Sequence, residues 1–455
     1  MTIYVNRVLN LKQIKAIGFD MDHTLVRYKK QAFEQLTYDA MKKNLVSEHD
    51  YPKKVQDLKF DPPRTIRGLI IDKLNGNLIK ISLHSRIKQA YHGLKELEYK
   101  ELLKLYKGHF VELRDERYAA IDTTFSVPYA VLYQQIVQLK EDNPKDNFPD
   151  YTELENDLLD ALDMSHRDGS LKNQVKTHVA KYIEQDEQAV AAIERFKKYG
   201  KKLWVITNSD YEYTKLLLDY AYTPFLKEHK HWSEVFDLVI TSASKPRFFT
   251  DSAKFLKVNP DTGFMTNSEG PYDTGIFQGG NALDLQKSAK IDGEDILYLG
   301  DHIYGDILTL KKSCNWRTAL VVEELEQEVE AYAKSKTILA EVENLMNEKT
   351  EVELKLDSLY AQEFEHKKNI DKKLVQEEFA KIKALDLSLS KAIKEHLKCF
   401  NPYCGEIMRD GQEESLFAGQ VEKYACIYMS KVSDFKDYSP RTYFRPRKRS
   451  LPHEY

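Results

Sequence analysis

Four short apolar runs stand out along the chain: "IKAIGF" (14–19), "KLWVI" (202–206), "FDLVI" (236–240) and "DILYLG" (295–300). Each is rich in Ile, Val, Leu or aromatics and too short for a helix. This pattern predicts strands buried on both faces of a parallel sheet. Between them the periodicity turns helical, in "DEQAVAAIERFKKYG" before the second run and "YEYTKLLLDYAY" after it. Strands alternating with helices predict an α/β fold with a Rossmann-like, doubly wound parallel sheet.

About 180 residues separate the first two runs, more than one crossover needs, so 28–185 reads as an inserted region. "LIIDKLNGNLIKIS" predicts a hairpin around Asn75-Gly76, and helices are expected near 128–140 and 150–163. Residues 1–27 and 186–322 then form the core, with a smaller insertion of turns and short strands at about 250–285. No Gly or Pro occurs from Asp306 to Asn401, and that stretch reads as long helices, an antiparallel pair centred on a helical segment at 323–400. Residues 401–455 are expected to pack back on the core and end in a basic tail.

The chain has 455 residues, 42% hydrophobic and 31% charged, with a net charge of −4. A balance this close to neutral, on the acidic side, speaks against nucleic acid as a general partner. No run of 18 apolar residues offers a membrane span. The first residues, "MTIYVNRVLN", do not have the shape of a signal peptide. Four cysteines in so long a chain suit a reducing compartment, and a cytoplasmic protein is expected.

Each apolar run ends in residues capable of chemistry: Asp20 and Asp22 after the first, Thr207-Asn208-Ser209 after the second, Lys245 beyond the third, Asp301 and Asp306 after the fourth. Ligands of open α/β sheets bind outside the carboxyl ends of the strands, so neighbouring strands would gather all four endings in one crevice. Carboxylates collected there repel and call for a cation. Asp20, Asp22 and Asp301 are hard oxygen ligands without Cys or a His triad, which selects Mg²⁺. Lys245, the Thr207 hydroxyl and amides near Asn208 would hold phosphate oxygens. One acid can then attack phosphorus while the other moves protons.

"DMDHTL", "TNS", Lys245-Pro246 and "GDHIYGD" resemble the four motifs of the haloacid dehalogenase-like phosphohydrolases. The resemblance implies Asp20 as nucleophile, Asp22 as acid/base, Thr207 and Lys245 on the phosphate, Asp301 with the Asp22 carbonyl on the metal, supported by Asp306, and a substrate-specificity cap within the inserted region 28–185. Longer stretches, among them "FDMDHTLVRYK", "WVITNSDYEYT" and "LFAGQVEKYACIY", look like the cytosolic purine 5'-nucleotidases. That family implies hydrolysis of IMP and GMP to nucleoside and phosphate, in some members phosphate transfer to another nucleoside, and a homo-oligomer, tetramer or dimer. It also implies that Phe125 in "DTTFSVP" stacks on the purine and that Asp163, His166 and Lys172 in "DMSHRDGSLK" line the nucleotide pocket with Asn208 and Ser209. Leu159 departs from an Arg of the mammalian members. Arg114, Gln420 and Lys423 match polar positions of an effector pocket, with Asp122 in place of an Asn. A phosphatase for another small phosphate, such as a sugar phosphate, would carry the same core motifs. A non-catalytic nucleotide-binding scaffold is the reading from a different class.

Overall fold

In a computed structural model, residues 2–367, 369–448 and 452–454 are described. Residues 1–323 and 407–455 form one compact unit and 324–406 a second.

The first unit is built on a ten-stranded sheet. Four of its strands, Ile296–Gly300, Ala16–Phe19, Lys202–Ile206 and Leu238–Thr241, are consecutive neighbours and all parallel. They are the four apolar runs. Both faces are covered because the side chains alternate between two apolar clusters: Ile17, Phe19, Leu203, Val205 and Val239 on one side, Ala16, Trp204, Ile206, Leu238 and Ile240 on the other. Gly18 takes its place in this alternation because the Tyr298 ring fills the space a side chain would need; a Cβ there would lie 2.8 Å from the ring. Helices Glu187–Lys198 and Tyr211–Ala221 flank Lys202–Ile206 in sequence, each capped by the Asp before it.

Two parts of the sheet depart from the sequence reading. Gly275–Gly279 is a parallel partner of Leu238–Thr241, so the 250–285 region extends the main sheet instead of standing apart from it. Phe255–Val258 and Met265–Asn267 continue it antiparallel to the edge. Arg317–Val321, inside the stretch read as helical, is a buried parallel strand beside Ile296–Gly300. "RTALV" satisfies strand chemistry on five residues, too few for the absence of Gly and Pro to carry information. Ile427–Met429 and Ile3–Val5 close the opposite edge.

The residues between the first two core strands carry a five-stranded antiparallel sheet, with Ile70–Asp72 and Asn77–Ile81 forming the hairpin at Asn75-Gly76. Helices Lys30–Glu48, Ser126–Asp142 and Tyr151–Arg167 pack on one another beside it. The fold is mixed α/β around a large, mostly parallel sheet.

The second unit is a helical hairpin, Leu325–Phe364 and Lys372–Leu397. Lys349 pairs with Asp386 and Lys355 with Glu378, so one number rises as the other falls and the helices run antiparallel. Among the described residues no helix is long and apolar enough to cross a membrane.

Candidate active site

The chain leaves the sheet at Asp20, whose N–H still donates to the Leu299 carbonyl at 2.8 Å. It then folds back on itself. Leu25 N–H reaches the Asp20 carbonyl and Val26 N–H the Met21 carbonyl, with His23 at a left-handed φ of 55°. This tight return sends the two carboxylates of the motif in different directions.

Asp20 points into the sheet end. Its Oδ1 accepts from Met21 N–H at 2.7 Å and lies 2.8 Å from Lys245 Nζ. The same ammonium is 2.8 Å from Asp306 Oδ1 and donates to the Tyr298 hydroxyl at 3.0 Å. Asp301 completes the group, with one carboxylate oxygen each from Asp20, Asp301 and Asp306 lying within 4.8 Å of one another. Gly300 makes the close approach of Asp306 possible, because a Cβ at 300 would sit 2.4 Å from the Asp306 Cβ. Lys245 is itself fixed from the neighbouring loop. Asn208 Oδ1 accepts from Lys245 N–H at 2.6 Å and its Nδ2 donates to the Lys245 carbonyl at 3.1 Å. The Asn208 side chain is therefore committed to holding Lys245 in place.

Burial pushes the Asp20 carboxyl well above its usual range; Lys245 opposes this, and Asp306, Asp301 and Asp22 reinforce it. Burial likewise raises Asp301 to about 6, against the pull of His23. Burial disfavours the Lys245 ammonium, but Asp20 and Asp306 outweigh it and hold the lysine well above its ordinary value. One lysine cannot balance three carboxylates, so the cluster is short of positive charge. Among the described residues the buried Asp301 Oδ2 has no hydrogen-bond partner. An all-oxygen donor set with an unsatisfied oxygen fits a hard divalent cation.

Asp22 turns the other way. Its Oδ2 accepts from Ser209 Oγ at 2.8 Å and from Thr207 Oγ1 at 3.5 Å; its Oδ1 accepts from the Tyr28 hydroxyl at 2.6 Å. Thr207 and Ser209 thus stand against Asp22, at the end of the neighbouring strand. A buried Lys beside acids, a second acid ringed by hydroxyls and a cation-demanding cluster form the equipment for moving a phosphoryl group.

The sequence model of the 5' nucleotidase family matches residues 3–455. The chain belongs to the 5'-nucleotidase family. A 5'-nucleotidase domain-containing protein of Dictyostelium discoideum is 27% identical over 467 residues, spanning 100% of this chain and 75% of that protein. The rat 5'-nucleotidase domain-containing protein 2 is 26% identical over 470 residues, spanning 99% of this chain and 80% of its own length. The chain is accordingly a phosphoric monoester hydrolase, and its family reaction is the hydrolysis of nucleoside monophosphates in general.

For a nucleotidase, what lies beyond Asp22 matters, and that region is aromatic. Phe125, half-buried, meets His23 edge-on at 4.5 Å and His166 at 5.4 Å, with Tyr28 and Phe33 behind. Burial lowers the His166 pKa, partly opposed by Asp22 and Asp163. Lys172 lies over the Tyr213 ring at 5.2 Å and forms an ion pair with Asp210. Asp163 and Leu159 are exposed on the helix Tyr151–Arg167. The structure therefore brings Phe125 and His166 to the Asp22 side of the site and Lys172 to its margin. Asp163 is reached only as a charge near His166.

Several residues of the site carry no motif signal. Tyr298 links Lys245 to the Ile206 carbonyl. The fully buried Arg67 donates to the Asp301 carbonyl at 2.9 Å. Glu323 lies 3.5 Å from the buried His23. Burial lowers the His23 pKa, but Glu323, together with the Asp301 and Asp22 charges, outweighs that and raises it. Only the apolar frame around Tyr298, and the bare presence of an acid or base elsewhere, hinted at these roles. Of the expected effector positions, Gln420 donates to the Tyr304 hydroxyl, Lys423 lies over Tyr424 and Arg114 is exposed. Asp122 sits 3.6 Å from His302, its carboxyl raised by burial.

Proposed function

We propose that this chain hydrolyses purine nucleoside 5'-monophosphates, IMP and GMP first, with Mg²⁺, through an aspartyl-phosphate on Asp20 in a haloacid dehalogenase-like fold. The observation that carries the reading is the divergence of the two acids: Asp20 faces Lys245 and the carboxylate cluster, while Asp22 faces the hydroxyls of Ser209, Thr207 and Tyr28.

The roles follow from that divergence. An Asp20 oxygen attacks phosphorus as the bond to O5' breaks. Lys245, the Thr207 hydroxyl and backbone amides near Asn208 steady the phosphoryl oxygens. Asp22 gives a proton to O5', then takes one from the water that cleaves the aspartyl-phosphate. Asp20, Asp301 and the Asp22 carbonyl would hold Mg²⁺, with Asp306 supporting; when bound it offsets the carboxylate charge and polarises phosphoryl oxygens. A nucleoside hydroxyl in place of water would give phosphate transfer from the same intermediate.

Phe125 is the stacking surface for the purine, supported by its half-buried ring between His23 and His166. His166, Asp163, Lys172, Asn208 and Ser209 complete the substrate side, with Asn208 acting through Lys245. Four free cysteines agree with a reducing, cytoplasmic setting, where the enzyme works as a homo-oligomer.

The test is phosphate release from IMP, GMP, AMP, CMP and several sugar phosphates, with Mg²⁺ and with EDTA. The expected result is preference for IMP and GMP, abolished by EDTA and by Asp20→Asn, the latter by at least about 10³-fold in kcat. Preference for a sugar phosphate would keep the chemistry and overturn the purine pocket. Full activity of Asp20→Asn would overturn the nucleophile.

A further inference from the structure

Two buried tyrosines stand behind Asp22, and nothing in the motifs assigns them. The Tyr28 hydroxyl donates to Asp22 Oδ1 at 2.6 Å and lies 3.0 Å from the Tyr213 hydroxyl. Both rings are only 3% exposed. Neither is free to move. Tyr28 is fixed through its backbone by the bridge to Ile183 and through its ring by stacking on His23 at 4.7 Å and contact with Phe33 at 4.4 Å. Tyr213 sits in the first turn of the helix Tyr211–Ala221, its N–H bound to the Asp210 cap and its ring beneath Lys172.

We propose that the Tyr28–Tyr213 hydroxyl pair is a positioning device that holds the Asp22 carboxyl for proton transfer to the leaving nucleoside. The inference rests on the reading of Asp22 as the acid/base. An Asp at a loop exit has two free torsions, and proton delivery to O5' requires a narrow range of them. Ser209 binds Oδ2 and Tyr28 binds Oδ1, so the carboxyl plane is set by two fixed partners on different elements. The partners are hydroxyls, which donate to a carboxylate and accept from a carboxylic acid. An Arg or Lys in Tyr28's place would donate only, and would oppose Asp22 in its acid form. In the step itself the Asp20 Oδ–P bond forms, the P–O5' bond breaks, and the Asp22 proton passes to O5'. Tyr28 ends with its own proton unchanged.

The alternative is that these tyrosines only satisfy their buried hydroxyls. Leaving-group chemistry separates the two. A nucleoside leaves as an alkoxide unless it is protonated, whereas para-nitrophenolate leaves without help. A misplaced acid therefore slows the first substrate and spares the second, while a general loss of structure slows both.

The experiment compares kcat/KM for IMP and for para-nitrophenyl phosphate in the full chain, in Asp22→Asn, in Tyr28→Phe and in Tyr213→Phe. Asp22→Asn should lose about 100-fold on IMP and far less on the aryl ester. Tyr28→Phe should lose about tenfold on IMP and less than about twofold on the aryl ester, as a fraction of the acid's contribution. Tyr213→Phe keeps the Tyr28–Asp22 bond and should lose about threefold with the same selectivity; it carries the test alone if Tyr28→Phe does not fold. Equal losses on both substrates, or none on either, in the tyrosine variants overturn the positioning role. A flat response in Asp22→Asn overturns Asp22 as the acid, a separate failure.

Discussion

At the scale of single residues, the site is decided by which charge faces which. Asp20 and Asp22 are two residues apart, yet one meets Lys245 and the other a ring of hydroxyls, because the return of Leu25 and Val26 onto Asp20 and Met21 turns the backbone between them. Lys245 is the positive centre of its half. Lys245→Met leaves Asp20 and Asp306 buried without it, and is expected to cost about 3 kcal/mol of stability in EDTA at neutral pH. Urea denaturation measures this, and added Mg²⁺ should recover part of the loss. A variant as stable as the parent in EDTA would show that the carboxylates are satisfied by other means. The identities of these groups were legible as strand endings. Tyr298, Arg67 and Tyr28 were not, because a buried tyrosine or arginine carries no mark of its partner.

At the scale of elements, each strand matters for where it stops. Ile296–Gly300 ends one residue before Asp301, and the short π-helix Ile303–Leu308 that follows lays Asp306 back against Gly300. Gly300→Ala forces Asp306 away from Lys245 and Asp20. A shift of about 1 Å in a site of this kind costs about 100-fold in rate, so kcat should fall by that order while circular dichroism remains that of the parent. An unchanged kcat would mean that the cluster tolerates a displaced Asp306. The four core strands, the helices around Lys202–Ile206 and the Asn75-Gly76 hairpin were readable from apolar runs and periodicity. Arg317–Val321 was not, and neither was the place of Gly275–Gly279 in the main sheet. The first lies in a chain segment whose composition is dominated by the long helices after it. The second was legible as a short strand of the 250–285 region, but three residues of "GIFQG" have no apolar side chain, so nothing local marked it as a partner of the core strand Leu238–Thr241.

At the scale of the whole molecule, the crowded acids link folding to pH. The Asp301 carboxyl ionises near 3.8 when unfolded and at about 6 in the fold. Between those values the folded protein holds the extra proton. The stability this group contributes is complete below about pH 4 and is lost as pH rises through about 6. In EDTA the unfolding temperature should therefore fall over that window. Asp301→Asn should flatten the fall and stabilise the metal-free protein at neutral pH. Mg²⁺ should reverse the trend in the parent, since binding favours the ionised carboxylates. A parent whose midpoint is constant from pH 4 to 7 in EDTA would contradict the link.

The sequence by itself determined the material of this protein. Local spacing sets strand and helix, since period and propensity act over a few residues, and it placed the acids, the lysine and the hydroxyls at strand ends. The tertiary structure alone decided the order of strands, which makes four endings neighbours, and the direction each side chain takes from its ending. It also chose partners from far along the chain: Arg67 for the Asp301 carbonyl, Tyr213 for Tyr28, Asn208 for the Lys245 backbone. Such pairings depend on distance in space, and hydrogen bonds and buried charges act over a few ångströms whatever the separation in sequence.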